Sequence, residues 1–190
     1  MNGHTDVIMG SISLNNIELA KNIRFLQNAV GAVPSPFDCY LVNRSLKTLK
    51  VRMEEHQKNS LLVATFLETC PLVEKVLHPS LPSHPQHQLA VKQQYGHSGI
   101  FSFYLKGGVE TSKAFLGNLK LVTLAESLGG YESLVELPYL MTHACIEEKE
   151  RIALGVTNNL IRISIGLEYY GDIIDDITQA LKLASSTIIS

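Results

Sequence analysis

The sequence predicts a mixed α/β fold in which short strands and helices alternate, and three observations predict it. The run Leu160–Leu167 alternates, with Ile161, Ile163, Ile165 and Leu167 on one side and Arg162, Ser164 and Gly166 on the other. Ile173, Ile174, Ile177, Leu181 and Ala184 form an apolar stripe at helical spacing over 172–184. From residue 70 onward, strand-like and helix-like runs follow one another closely and are separated by Gly and Pro, the pattern of a small α+β layer.

The elements read in order as follows. Residues 6–14 are expected to be a strand, with Val7, Ile8, Ile12 and Leu14 apolar and Gly10 a bulge. Ile17, Ala20, Ile23 and Leu26 give residues 16–29 a helical stripe. Ser35 is placed to cap a helix, Pro36 to occupy its first position and Asp38 to favour its first turn. The apolar spacing of Phe37, Leu41, Leu49 and Met53 extends that helix to about Leu67, long enough to bridge two domains.

Leu72–Leu77 is a strand, residues 78–85 a proline-rich loop and residues 85–94 a helix. Ile100–Leu105 is a strand with Phe101, Phe103 and Leu105 on one face. Gly107 and Gly108 turn the chain into a helix over 111–118, a short strand follows over 119–124, and Gly129-Gly130 interrupts before a short mixed segment over 131–137.

Bulk properties exclude several function classes. The 190 residues are 45% apolar, enough for one core or a core plus part of another. A net charge of -2 offers no basic face for nucleic acid or an anionic membrane. No apolar run approaches the roughly 18 residues of a membrane span. Three widely spaced cysteines, Cys39, Cys70 and Cys145, write neither a disulfide framework nor a metal motif, and suit a reducing, cytoplasmic setting. The start MNGHTDVIMG is not a signal peptide; it enters an apolar stretch at once and reads like the middle of a fold.

Arg162 is the first candidate for chemistry. It sits mid-strand between two isoleucines, and an arginine inside such a strand needs a partner. Its planar fork suits either an internal acid or a ligand carboxylate, and the residues alone favour the internal ion pair. The run Leu124-Ala125-Glu126-Ser127-Leu128-Gly129-Gly130 is a turn, or a place where backbone amides approach a ligand. His78, His84 and His87 cluster, but no cysteine or acid nearby completes a metal set. Thr142 is placed to cap an acidic helix over 146–150. His143 and Cys145 are too close in sequence to form a nucleophilic dyad. Composition and spacing stop there and yield no reaction.

The order of several segments supplies more. MNGHTDVIMG, FLQNAVGAVPSPFDCYLVNRSLKTLKVRM at 25–53, LPSHPQHQLA at 81–90, TLAESLGGYESLVELP at 123–138, MTHA at 141–144 and LIRISIGLE at 160–168 together resemble the Cys/Met-metabolism pyridoxal-phosphate enzymes over essentially the whole chain. The resemblance implies the C-terminal part of a fold-type I, transferase-like enzyme. Residues 1–50 would end the large cofactor-binding domain and begin the bridging helix, and residues 51–190 would form the small α+β domain.

The LAESLGG segment with Glu126 weighs toward the family's cystathionine-cleaving carbon–sulfur lyases, which release cysteine, 2-oxobutanoate and ammonia in transsulfuration. The γ-synthase, β-lyase and methionine-cleaving branches share much of the same region. By the same resemblance Arg162 would grip the substrate α-carboxylate, Ser127 would lie beside cofactor and substrate, and Glu126 and Thr142 would line the pocket. His4 and Asp6 would shape the chain just past the cofactor lysine.

Family members are much longer, are homotetramers, and carry the Schiff-base lysine just before the position of Met1, so no lysine here stands in the matching place. The expectation is a truncated chain that has no activity alone and self-associates. A non-catalytic assembly partner of the full enzyme and an independent carboxylate-binding domain are the alternatives.

Overall fold

A computed structural model describes residues 1–187, so the last three positions of the expected 51–190 domain lie outside the described residues. The chain divides into two compact units, one of Met1–Lys50 and one beginning at Val51.

In the first unit, helix α1 (Ile17–Val30) begins where Asn16 Oδ1 accepts the amide of Leu19 at 2.9 Å. It ends at Gly31, whose φ of +75° suits a glycine and lets its amide return to the Gln27 carbonyl. Helix α2 (Pro36–Leu46) starts as its sequence dictates, with Ser35 Oγ accepting the amide of Asp38 at 3.0 Å and Pro36 in the first turn.

Two expectations are corrected here. Residues 6–14 form no strand; no ladder pairs them with another segment among the described residues, and Ile8 is 93% exposed. Apolar residues in an extended run specify a strand only where a partner edge completes the ladder. The long helix is also two. Helix α3 (Leu49–Thr69) starts after a break at Lys47-Thr48. There Ser45 Oγ takes the Leu41 carbonyl at 2.7 Å, and the amides of Lys47 and Thr48 reach back three residues to Arg44 and Ser45. Hydroxyl competition for carbonyls and tightened i→i−3 bonds end a helix that apolar spacing alone would continue.

The second unit is a mixed sheet of five strands: β1 (Val73–Leu77), β2 (Ile100–Leu105), β3 (Thr123–Leu124), β4 (Leu134–Glu136) and β5 (Leu160–Ser164), in the spatial order β1-β2-β5-β4-β3. All neighbours are antiparallel except β3 and β4. The alternation read in sequence sets the register: Phe101 faces Ile163 and Phe103 faces Ile161, and all four are buried. A bulge between Val73 and Lys75 lets Val73 and Val76 both point inward, which strict alternation forbids.

Helix α4 (His87–Gln93) follows the proline-rich loop, and α5 (Val109–Asn118), α6 (Glu148–Ala153) and α7 (Tyr170–Ala184) connect and close the chain. The core joins Val63, Ala64 and Leu67 of α3, Phe115 of α5 and Ile173, Ile177 and Leu181 of α7 to the Phe103–Ile161 face of the sheet.

Two polar clamps fix the layers. Asp176, on the buried side of α7, accepts the amides of Lys120, Leu121 and Val122 at 2.8–3.1 Å. Burial opposes its ionisation, but the amides of Val122, Leu121 and Lys120 and the Gln179 side chain outweigh that, holding its carboxyl below the ordinary range. On α3, His56 Nδ1 donates to the Ile165 carbonyl at 2.7 Å and Asn59 Nδ2 to the carbonyls of Gly166 and Glu168. These bonds hold the segment that follows β5. Gly99 permits the approach, since a Cβ there would stand 2.6 Å from the Ile165 carbonyl oxygen.

His78 is fully buried; its Nδ1 accepts the Ser80 amide at 3.2 Å, which leaves the proton on Nε2 facing Ser60 Oγ at 3.4 Å. Burial, helped by His97 and His84, lowers its pKa from 6.5 to about 4. Between those values the unfolded chain binds a proton that the folded chain refuses, so stability is full above 6.5 and is lost as pH falls toward 4. Urea midpoints measured at pH 7 and at pH 4.5 should drop with acidification, and His78→Gln should flatten that drop; equal drops in both proteins would refute the assignment.

Candidate functional site

Arg162 stands in the middle of β5 on the face opposite the Ile161–Ile163 core. Its direct cross-strand neighbours are Ser102 on β2 and Glu136 on β4. Arg162 Nη1 donates to Glu136 Oε1 at 2.9 Å. The two ends of the pair differ: the Glu136 side chain is wholly buried, whereas the Arg162 side chain is 40% exposed. Glu136 Oε2 is buried and has no hydrogen-bond partner among the described residues. The internal ion pair that the sequence favours is therefore present, yet it is not sealed. One nitrogen of the guanidinium is committed and the side that carries the rest of its donors reaches solvent.

Topology decides what surrounds this pair. Strands β3 and β4 run parallel, and the Ala125 amide extends their ladder to the Val135 carbonyl at 3.0 Å. Glu126-Ser127 and the turn after Leu137 consequently leave the sheet at the same end, the end at which Glu136 meets Arg162. Glu126 and Ser127 are exposed, and their side chains make no hydrogen bond among the described residues.

The far end of their loop is fixed. Ser133 donates its amide to Glu168 Oε1 at 2.7 Å and its hydroxyl to Glu168 Oε2 at 2.9 Å, and Ser133 Oγ accepts the Gly166 amide at 2.9 Å. The Leu167 amide reaches the Tyr131 carbonyl at 2.8 Å. Loop 125–133 is thereby pinned to the residues that directly follow β5.

Thr142 does not cap a helix. It lies inside a turn closed by bonds from Met141 to Leu137 and from His143 to Pro138, and α6 begins later, after Glu147, with no side-chain cap. Thr142 is exposed and its Oγ1 meets His143 Nδ1 at 2.8 Å. Cys145 is exposed and makes no hydrogen bond to an imidazole among the described residues. No metal-binding group of His, Cys, Asp or Glu occurs among the described residues. Backbone groups occupy Nδ1 of each loop histidine: the Ser80 amide on His78, the Gln86 amide on His84 and the Pro79 carbonyl on His87.

Glu136 is the residue the sequence reading missed. Its signal was the same one that marked Arg162: a lone charge, in Leu134-Val135-Glu136-Leu137, within an apolar run. Two opposite lone charges in two short strands invite a cross-strand pair.

The donor set at this site is a guanidinium, a buried carboxylate and exposed hydroxyl and carboxylate side chains. The loops 125–130 and 137–147 contain no lysine and no second arginine. A guanidinium in such a set is suited by its chemistry to a carboxylate, and the set includes no amine for an aldehyde cofactor and no second cation for a phosphate.

A family model described as Cys/Met metabolism PLP-dependent enzyme matches residues 1–182. Cystathionine gamma-lyase of Mus musculus is 61% identical over 184 residues, covering 97% of this chain and 46% of that protein. The Homo sapiens protein of the same name is 58% identical over 97% of this chain and 45% of its own length. Among solved structures, cystathionine gamma-lyase from yeast superposes with a TM-score of 0.92 at 44% identity, over 97% of this chain and 48% of the other. Cystathionine gamma synthase from Xanthomonas oryzae pv. oryzae, in complex with cystathionine, also gives 0.92 at 41% identity, over 98% and 48%. The chain spans about half the length of the curated relatives it matches.

Gly166 anchors the site's supporting segment because nothing larger can stand there: a Cβ would lie 2.3 Å from both Glu168 Oε2 and the Tyr131 carbonyl oxygen. Gly166→Ala is expected to cost about 2 kcal/mol, the scale of an overpacked site. Urea unfolding measures it, and an unshifted midpoint would show that the clamp tolerates displacement.

Proposed function

The chain belongs to the Cys/Met metabolism PLP-dependent enzymes, and from that premise we propose that it supplies the substrate-carboxylate site of a carbon–sulfur lyase acting on cystathionine. The products are cysteine, 2-oxobutanoate and ammonia, which places the reaction in transsulfuration. The observation behind this reading is Arg162: a guanidinium held from below by a buried acid, open on its other side, at the sheet end from which two loops emerge.

An open guanidinium fork recognises a carboxylate by two parallel N–H···O bonds, which fix the plane and direction of an amino acid as well as its charge. In this reading Arg162 takes the α-carboxylate. Ser127 lies beside cofactor and substrate, and Glu126 and Thr142 line the pocket and discriminate among side chains. The family's pyridoxal phosphate supplies an electron sink for carbanions formed next to the amino group. The residues near Arg162 provide neither the lysine nor the phosphate cradle for it, so those groups come from elsewhere in the enzyme. Residues 1–50 belong to the large cofactor-binding domain and residues 51–190 to the small domain. The working enzyme is a cytoplasmic homo-oligomer, a tetramer by family resemblance. No helix among the described residues is long and apolar enough to cross a membrane.

A second reading has one observation in its favour. The synthase superposes as well as the lyase does, with the same TM-score. Replacement at the γ carbon would use the same carboxylate handle, and the choice between the two reactions would rest with Glu126 and its neighbours.

The test joins residues 1–190 to the N-terminal portion of the mouse relative and adds pyridoxal phosphate. L-Cystathionine should then release 2-oxobutanoate, while the 190-residue chain with cofactor alone should not. Arg162→Ala should lower kcat/KM by about 100-fold, as expected for losing two charged hydrogen bonds. An Arg162→Ala enzyme with the parent KM and kcat would end the reading.

A further inference from the structure

We propose that Glu136 is the positioning residue of the carboxylate site: it fixes Arg162 through Nη1, so that the remaining guanidinium N–H groups present a single orientation to the ligand. This inference rests on the carboxylate-binding reading of Arg162.

Glu136 and Arg162 are direct cross-strand partners, so the sheet register itself sets their separation. The acid is wholly buried and the base 40% exposed. The pair thus has a fixed end beneath and a presenting end above. A free arginine side chain samples many rotamers and loses on the order of 2 kcal/mol of conformational freedom when a ligand immobilises it. A hydrogen bond to a rigid, buried acceptor removes that cost before the ligand arrives.

The geometry also argues against a pair built for stability alone. Two parallel bonds would satisfy both carboxylate oxygens and consume the fork. Here only Oε1 is engaged, and Oε2 stays buried without a donor among the described residues. The cost of that idle oxygen is the counterpart of a guanidinium whose other donors remain available.

Charge works in the opposite direction. A carboxylate beside Arg162 lowers its attraction for a second carboxylate. What Glu136 contributes is therefore an acceptor at a set position, and position can be separated from charge. Glu136→Gln keeps an acceptor oxygen at the same reach and removes the charge. Glu136→Asp keeps the charge and withdraws the acceptor by one methylene.

The experiment titrates L-cystathionine into the cofactor-free form of the enzyme that joins residues 1–190 to the N-terminal portion of the mouse relative, and follows the Arg162 Nε–Hε resonance by NMR. Glu136→Asp should weaken binding about tenfold, the equivalent of one hydrogen bond. Glu136→Gln should bind at least as tightly as the parent. Glu136→Asp binding like the parent would overturn the proposal, as would Glu136→Gln losing as much as Glu136→Asp, because charge would then be the operative property. If cystathionine leaves the parent's Arg162 resonance unmoved, or if Arg162→Ala binds it equally well, the carboxylate reading fails and the positioning role falls with it. Failure confined to the Glu136 variants leaves that reading standing.

Discussion

The antiparallel pairing of β4 with β5 is the constraint on which the site depends. It sets Glu136 opposite Arg162 at hydrogen-bond distance, inside a sheet whose other face is closed by helices. Because side chains alternate along a strand, a slip of one residue would turn Arg162 into the apolar core and bring Ile161 out. That core blocks the slip: Phe101, Phe103, Ile161 and Ile163 interlock on one face and leave the opposite face to the charged pair. Packing on one side of the sheet thereby aims chemistry on the other.

The same logic extends outward. Loop 125–133 is irregular where its side chains face solvent and rigid where Ser133 meets Glu168 and Gly166. Asn59 and His56 tie that clamp to α3. A site that must hold a small molecule within fractions of an ångström needs such support behind its contact residues. Here the support is polar and specific, whereas the residues proposed to meet the ligand make few internal bonds. Glu126 and Ser127 are exposed and their side chains make no hydrogen bond among the described residues, which is what the proposed ligand-facing role requires of them.

Much of the second unit was legible in the sequence, because its strands and helices are amphipathic and buried on one side. Ile100–Leu105 and the 172–184 stripe emerge almost as read, since period-2 and period-3.6 patterns report a one-sided core. The segments that misled lack such a core. Val7, Ile8 and Ile12 look like a strand, yet no partner completes one among the described residues, whereas α1 forms close to where it is read although it buries none of its residues. The break at Lys47-Thr48 comes from hydroxyl–carbonyl bonds that apolar periodicity does not encode. At the site, Arg162 stood out because a charge between two isoleucines demands an explanation. Its partner did not, because pairing Glu136 with it requires knowing that β4 lies beside β5. Thr142 was a plausible cap by residue type, but the turn that follows Pro138 places it ahead of the helix start.

The most direct measurement is a crystal structure of the cofactor-loaded enzyme with a substrate carboxylate bound. The expected result has both carboxylate oxygens on the outward N–H groups of Arg162, with Nη1 still on Glu136 and the β4–β5 register unchanged. Finding instead that Arg162 folds down to engage both oxygens of Glu136, with the ligand carboxylate held by other groups, would contradict the central claim.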